Sequence, residues 1–138
     1  MINNKTVLVD TGAWFALSDR SDQYHKHAAK IFPKLLTSFS YLTTTNLVIA
    51  ETYILIRRML GFNPAIHFLV NSSTSPRINK IYSGMEIEKA AEALLKKYKD
   101  HNFSYTDAVS FAVMKEYGIE QAFTFDQHFK SAGFKIIP

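Results

Sequence analysis

Residues 6–17 read T-V-L-V-D-T-G-A-W-F-A-L. Val7-Leu8-Val9 is an unbroken aliphatic run, the pattern of a strand buried on both faces. It runs straight into Asp10, and a short helical pattern follows over Gly12–Ser18. Asp is a preferred helix N-cap, which is one reason for a carboxylate at this point. A carboxylate delivered by the end of a hydrophobic strand is also well placed to act on a ligand. The residues around Asp10 leave both readings open.

The same alternation continues along the chain. Further strand patterns fall at Tyr41–Thr43, Ile78–Lys80, Gln121–Thr124 and Lys135–Ile137. Helical patterns fill the gaps. Asp22–Leu36 contains Pro33, expected to kink or break it. Leu47–Leu60 is closed by Gly61, and Pro64–Asn71 and Met85–Lys99 follow. Tyr105–Tyr117 is closed by Gly118. Asn71-Ser72-Ser73-Thr74-Ser75-Pro76 reads as a loop inside one domain spanning residues 1–138. Strands alternating with helices predict an α/β fold with a parallel sheet covered on both faces. Such sheets bind ligands beyond the carboxyl ends of their strands. Two strands deliver an acid there: Val7-Leu8-Val9 delivers Asp10, and Phe123-Thr124-Phe125 delivers Asp126.

Composition narrows the chemistry. The 138-residue chain has 16 Lys+Arg against 12 Asp+Glu, a net charge of +4. That balance mildly favours a polyanionic partner and is also an ordinary solubility charge. The absence of cysteine excludes disulfides, thiol catalysis and cysteine-ligated metals. The N-terminus shows no signal-peptide core, and the longest apolar run is broken by Arg57-Arg58, so a cytoplasmic protein with no membrane partner is expected.

Of the 12 acids, Asp19, Asp22, Glu86, Glu88, Glu92, Asp100, Glu116 and Glu120 read as solvated helix faces or ends. Asp10, Glu51, Asp107 and Asp126 sit in apolar company. Asp126 is placed to cap Gln127–Lys130. Ser104-Tyr105-Thr106-Asp107 matches a capping box, yet Phe111 and Met114 put Asp107 on the apolar stripe of its helix. Glu51 lies too far into its helix for a capping box begun at Asn46. Its neighbours Leu47, Ile54 and Leu55 imply an inward-facing carboxylate, which needs an arginine partner or a cation. Four carboxylates at one sheet edge repel unless a cation neutralises them or some are protonated. An oxygen-only ligand set selects hard ions such as Mg2+ or Mn2+. Such an ion activates water and stabilises charge on a phosphodiester.

The motifs V-D-T-G-A-W, A-E-T, Y-T-D-A-V-S-F-A-V-M and T-F-D-Q-H-F, in that order, resemble the PIN domain (PilT N-terminus) family, in particular its VapC-type toxins. Tyr24-His25-Lys26-His27-Ala28-Ala29 also resembles the second-helix pattern of these proteins. The likeness spans essentially the whole chain. It implies a three-layer α/β/α sandwich with a five-stranded parallel sheet and an acidic pocket at its C-terminal edge. It implies a metal-dependent endoribonuclease, the toxin of a toxin–antitoxin pair, with Asp10, Glu51, Asp107 and Asp126 as its four acids. Asp10 and Asp107 would bind Mg2+ or Mn2+ directly, with Thr11 and Thr124 as auxiliary hydroxyls. The expected partners are an RNA substrate, a small antitoxin protein and a second copy of the chain.

Other features point less sharply. His25, His27, His67, His101 and His128 show no metal-binding spacing and read as ordinary residues, with only His128 placed near the acids. Lys26, Lys30 and Lys34, Arg57-Arg58 and Lys96-Lys97-Lys99 read as solvated faces or as a phosphate track, with Arg57 and Arg58 as candidate RNA contacts. The aromatic-rich run Tyr53–Leu69 reads as core, with part of it available to a homodimer or an antitoxin peptide. The rival readings are a non-catalytic RNA-binding or assembly module with a structural cation, and a phospho-receiver domain. The receiver reading lacks an acidic pair beside Asp10 and a lysine at the end of a late strand.

Overall fold

A computed structural model of the chain describes residues 3–138. The strands are β1 (Thr6–Val9), β2 (Tyr41–Thr45), β3 (Ile78–Ile81), β4 (Gln121–Phe123) and β5 (Lys135–Ile137). All pairings are parallel, in the order β3-β2-β1-β4-β5. The helices are α1 (Thr11–Ser18), α2 (His25–Ser38), α3 (Asn46–Met59), α4 (Phe62–Thr74), α5 (Met85–Lys97), α6 (Tyr105–Tyr117) and α7 (His128–Ser131).

Strand alternation builds the three layers. Leu8, Ala122 and Ile136 face one way, into a core completed by α5, α6 and α7 through Leu94, Phe111 and Phe129. Val7, Val9, Phe123 and Ile137 face the other way, towards Trp14 of α1 and Ala28 and Leu35 of α2. Every residue of β1 is buried, as expected for the central strand of a parallel sheet covered on both faces. The chain winds outward through β2 and β3, then returns to the other side of β1 as β4. The strand order therefore reverses between β1 and β4. The crevice at their carboxyl ends is where ligands bind in open α/β sheets.

Several boundaries differ from expectation for identifiable reasons. Pro33 does not break α2. It sits on the exposed face, so it removes one backbone hydrogen bond without disturbing buried Ala28 and Leu35. The polar stretch after Val70 is not a loop up to Thr74. α4 continues through it, and the hydroxyls of Ser72, Ser73 and Thr74 are satisfied by donating back to the carbonyls of Leu69 and Val70. Thr45, not Asn46, caps α3: its hydroxyl accepts the Val48 N–H at 3.1 Å, while Asn46 Oδ1 accepts the Ser83 N–H at 2.8 Å. Asp19 is buried rather than solvated. Its carboxylate accepts the N–H and hydroxyl of Ser21, which hold its pKa below the usual value. Among the described residues, no helix is long and apolar enough to cross a membrane.

Candidate functional site

Asp10 links β1 to α1. Its N–H donates to the Phe123 carbonyl at 3.1 Å, and its own carbonyl accepts the Ala13 and Trp14 N–H groups that open α1. It holds the N-cap position, but its side chain caps nothing. Oδ2 instead accepts the Thr124 hydroxyl at 3.0 Å. The Thr124 oxygen also accepts the Asp126 N–H at 3.0 Å. One buried hydroxyl thus ties the Asp10 carboxylate at the end of β1 to the backbone of Asp126, three residues beyond the end of β4.

Asp107 performs both tasks that its sequence context suggests. It closes a capping box: Ser104 N–H donates to its Oδ2 at 3.1 Å, and its own N–H donates to Ser104 Oγ at 3.0 Å. It also opens onto the same cleft as Asp10. Asp126 Oδ1 accepts the His128 N–H at 2.9 Å, but the helix it is expected to cap is His128–Ser131, with Gln127 at the N-cap position and no side-chain capping bond.

Glu51 reaches the cleft by a route the helical pattern does not indicate. Ile54 and Leu55 are exposed, and the buried stripe of α3 is Val48, Ile49, Thr52 and Ile56. Glu51 is half-buried beside the cleft rather than aimed into the core. Among the described residues it pairs with no arginine. Its carboxylate accepts the Thr11 hydroxyl at 3.1 Å and the Thr106 hydroxyl at 2.7 Å.

Thr106 is not singled out by the sequence, and His128 is placed near the acids there but given no role. Thr106 orients Glu51 across 55 residues of chain. His128, read as ordinary, places Nδ1 3.3 Å from Asp107 and 3.4 Å from Asp126. One ligand atom each from Asp107, Asp126 and His128 lies within 4.8 Å of the others. The local signal for His128 is its place two residues after a strand-end acid. Arg57 and Arg58 are exposed in the last turn of α3, roughly 10 Å along the helix from Glu51. Neither lines the cleft, and the Arg57 guanidinium lies over the Phe62 ring.

The cleft has a volume of about 820 Å3 and is open to solvent. Its electrostatics are unfavourable without a counter-charge. Burial pushes the Asp10 carboxyl up from 3.8 to about 7, against the pull of the Thr11 backbone N–H. The charges of Asp107 and Asp126 push it further in the same direction. Asp107 is also raised, chiefly by burial and secondarily by Asp126, against the Ser104 N–H and the His128 ring. The N-termini of α1 and α6 meet at the cleft and supply only partial positive charge. The residues suit a hard divalent cation: clustered carboxylate oxygens, one imidazole nitrogen and no thiolate.

Residues 7–135 match the family model described as PIN domain. The chain belongs to the PIN domain family. Among its relatives is the 23S rRNA-specific endonuclease VapC20 of Mycobacterium tuberculosis, 33% identical over 129 residues, 93% of this chain and 95% of that protein. A VapC ribonuclease of Archaeoglobus fulgidus is 32% identical over 111 residues, 79% of this chain and 70% of the relative. The crystal structure of VapC20, described as a sarcin-ricin loop cleaving toxin, has a TM-score of 0.85 at 30% identity and covers 93% of this chain and 95% of that one. FitAcB from Neisseria gonorrhoeae shares the fold alone, with a TM-score of 0.66 at 14% identity over 96% of each chain. The PIN-domain resemblance of the sequence motifs and the α/β/α sheet architecture are thereby both borne out.

Proposed function

We propose that the protein is a divalent-cation-dependent endoribonuclease, the toxin of a toxin–antitoxin pair, with residues 1–138 acting as one PIN domain in the cytoplasm. The observation that carries the site assignment is the convergence of Asp10, Glu51, Asp107 and Asp126 on one cleft, which Asp22 also lines, with buried Asp10 pushed up to about 7. Asp10, Asp107 and Asp126 hold Mg2+ or Mn2+, and Glu51 completes the set. When bound, the cation supplies Lewis acidity towards the phosphate and lowers the pKa of water. The protein supplies the rest. Thr124 fixes the orientation of Asp10, Thr11 and Thr106 fix that of Glu51, and the capping box fixes Asp107. Carboxylates held this way cost little reorganisation when charge develops on the phosphate. His128 holds Asp107 and Asp126 in register.

The substrate is structured RNA, and the activity of VapC20 makes the sarcin-ricin loop of large-subunit rRNA the first candidate. Ile54, Met59, Phe62 and Val70 form large exposed apolar surface on α3 and α4, which suits an antitoxin peptide or a second copy. The test is cleavage of 23S rRNA by purified protein with Mg2+ or Mn2+. Cleavage leaving 5′-phosphate and 3′-hydroxyl ends, abolished by chelation and by Asp10→Asn, is expected. Undiminished cleavage by Asp10→Asn refutes the site assignment.

A further inference from the structure

One wall of the acidic cleft is aromatic and takes no part in holding a cation. Tyr24, at the entry to α2, lies flat on Phe125, with ring centroids 4.3 Å apart and 5° between planes. Both rings line the same cleft as the four acids, and Phe125 sits between Thr124 and Asp126 in sequence. Phe125 is held by two further rings, Phe123 at 5.8 Å and His27 at 6.1 Å, each in T-shaped contact with it. Tyr24 is fixed by its backbone. Its N–H donates to Asp22 Oδ2 at 3.0 Å, and the next residue, His25, bonds through its ring to the Ala16 carbonyl at 2.7 Å. Tyr24 is nonetheless 41% exposed. Single exposed aromatics are ordinary on protein surfaces. This one is flat, held in place and set at the mouth of a phosphodiester-cleaving cleft. Among the described residues, Phe125 is the only ring stacked on it.

We propose that Tyr24, backed by Phe125, is the base-stacking subsite of this cleft and takes an unpaired RNA base next to the phosphate to be cut. The inference rests on the ribonuclease reading. A base has a π-face whatever its identity, so such a platform tolerates sequence but requires a base splayed out of a helix. It therefore selects loops and single strands over duplex. It also supplies attraction where the carboxylates repel the phosphate backbone.

The test measures binding, so it does not depend on turnover. Fluorescence anisotropy follows a short labelled single-stranded RNA binding to wild type, Tyr24→Trp and Tyr24→Leu in Ca2+, with RNA integrity checked on a gel. Wild type and Tyr24→Trp are expected to bind alike, and Tyr24→Leu roughly tenfold more weakly. The same RNA in duplex form is expected to show no such difference. An abasic nucleotide moved along the RNA should weaken wild-type binding at one position and leave Tyr24→Leu indifferent there, a coupling that loss of fold cannot produce. Equal binding by wild type and Tyr24→Leu overturns the proposal, as does no abasic position affecting wild type, or no binding by wild type at all. A wild type that binds RNA with this coupling but cuts neither this RNA nor 23S rRNA in Mg2+ or Mn2+ refutes the nuclease reading and leaves the stacking subsite standing.

Discussion

Replacing Asp10 with asparagine should stabilise the metal-free protein. The carboxyl rises from 3.8 to about 7 on folding, which corresponds to at most about 4 kcal/mol against the ionised group. The folded protein retains the Asp10 proton over a pH range in which the unfolded chain has released it. The stability associated with that proton is fully present below 3.8 and is lost as pH rises towards 7. An asparagine side chain cannot ionise, and it keeps an oxygen to accept the Thr124 hydroxyl. The advantage of Asp10→Asn should be small near about pH 4 and largest above about pH 7. For a chain of this length each kcal/mol moves Tm by roughly 3 °C, so Asp10→Asn should melt several degrees above wild type at about pH 8 in EDTA. The two curves should converge at about pH 4. Mn2+ should raise the wild type more than the variant, because the variant, which keeps the other acids, binds it more weakly. The assay is thermal unfolding at both pH values with and without Mn2+. An Asp10→Asn protein less stable than wild type in EDTA at about pH 8 would make Asp10 a structural group and refute the electrostatic account.

The pH dependence of turnover should share the same origin. At subsaturating metal, activity should rise with pH through about 7, because Asp10 must lose its proton to hold a cation, and higher metal should move the midpoint down; a profile flat across neutrality counts against this. His128→Ala removes the imidazole 3.3 Å from Asp107 and 3.4 Å from Asp126. It should cost roughly 10–100-fold in metal affinity or activity, with a cooperative thermal melt retained in EDTA. An unaltered metal titration of that variant would show that the ring is a bystander.

The strand-to-acid reading of Val7-Leu8-Val9-Asp10 is legible because a buried parallel strand has a local signature, and the strand order then places its end at the crevice. Asp107 is legible twice, as a capping-box residue and as an inward-facing acid, and it is both. Glu51 stands out in the sequence for a reason that fails: Ile54 and Leu55, the apolar neighbours expected to bury it, are themselves exposed. It still faces the cleft, because Thr11 and Thr106, from two other helices, donate to it. No local pattern reports such a contact. His128 is undervalued by the sequence for the same reason. Its neighbourhood is created where the N-terminus of α6 packs beside the turn after β4, 21 residues away in sequence. The length of α4 is hidden because a Ser/Thr-rich run resembles a loop unless its hydroxyls turn back onto the helix.

The most direct test is a Mn2+ titration followed by electron paramagnetic resonance at about pH 8, comparing wild type with Asp107→Asn and Glu51→Gln. If the four acids form one cation site, wild type should take up the free ion and each variant should bind at least roughly tenfold more weakly. Equal uptake by wild type and both variants, or none by wild type, would contradict the account.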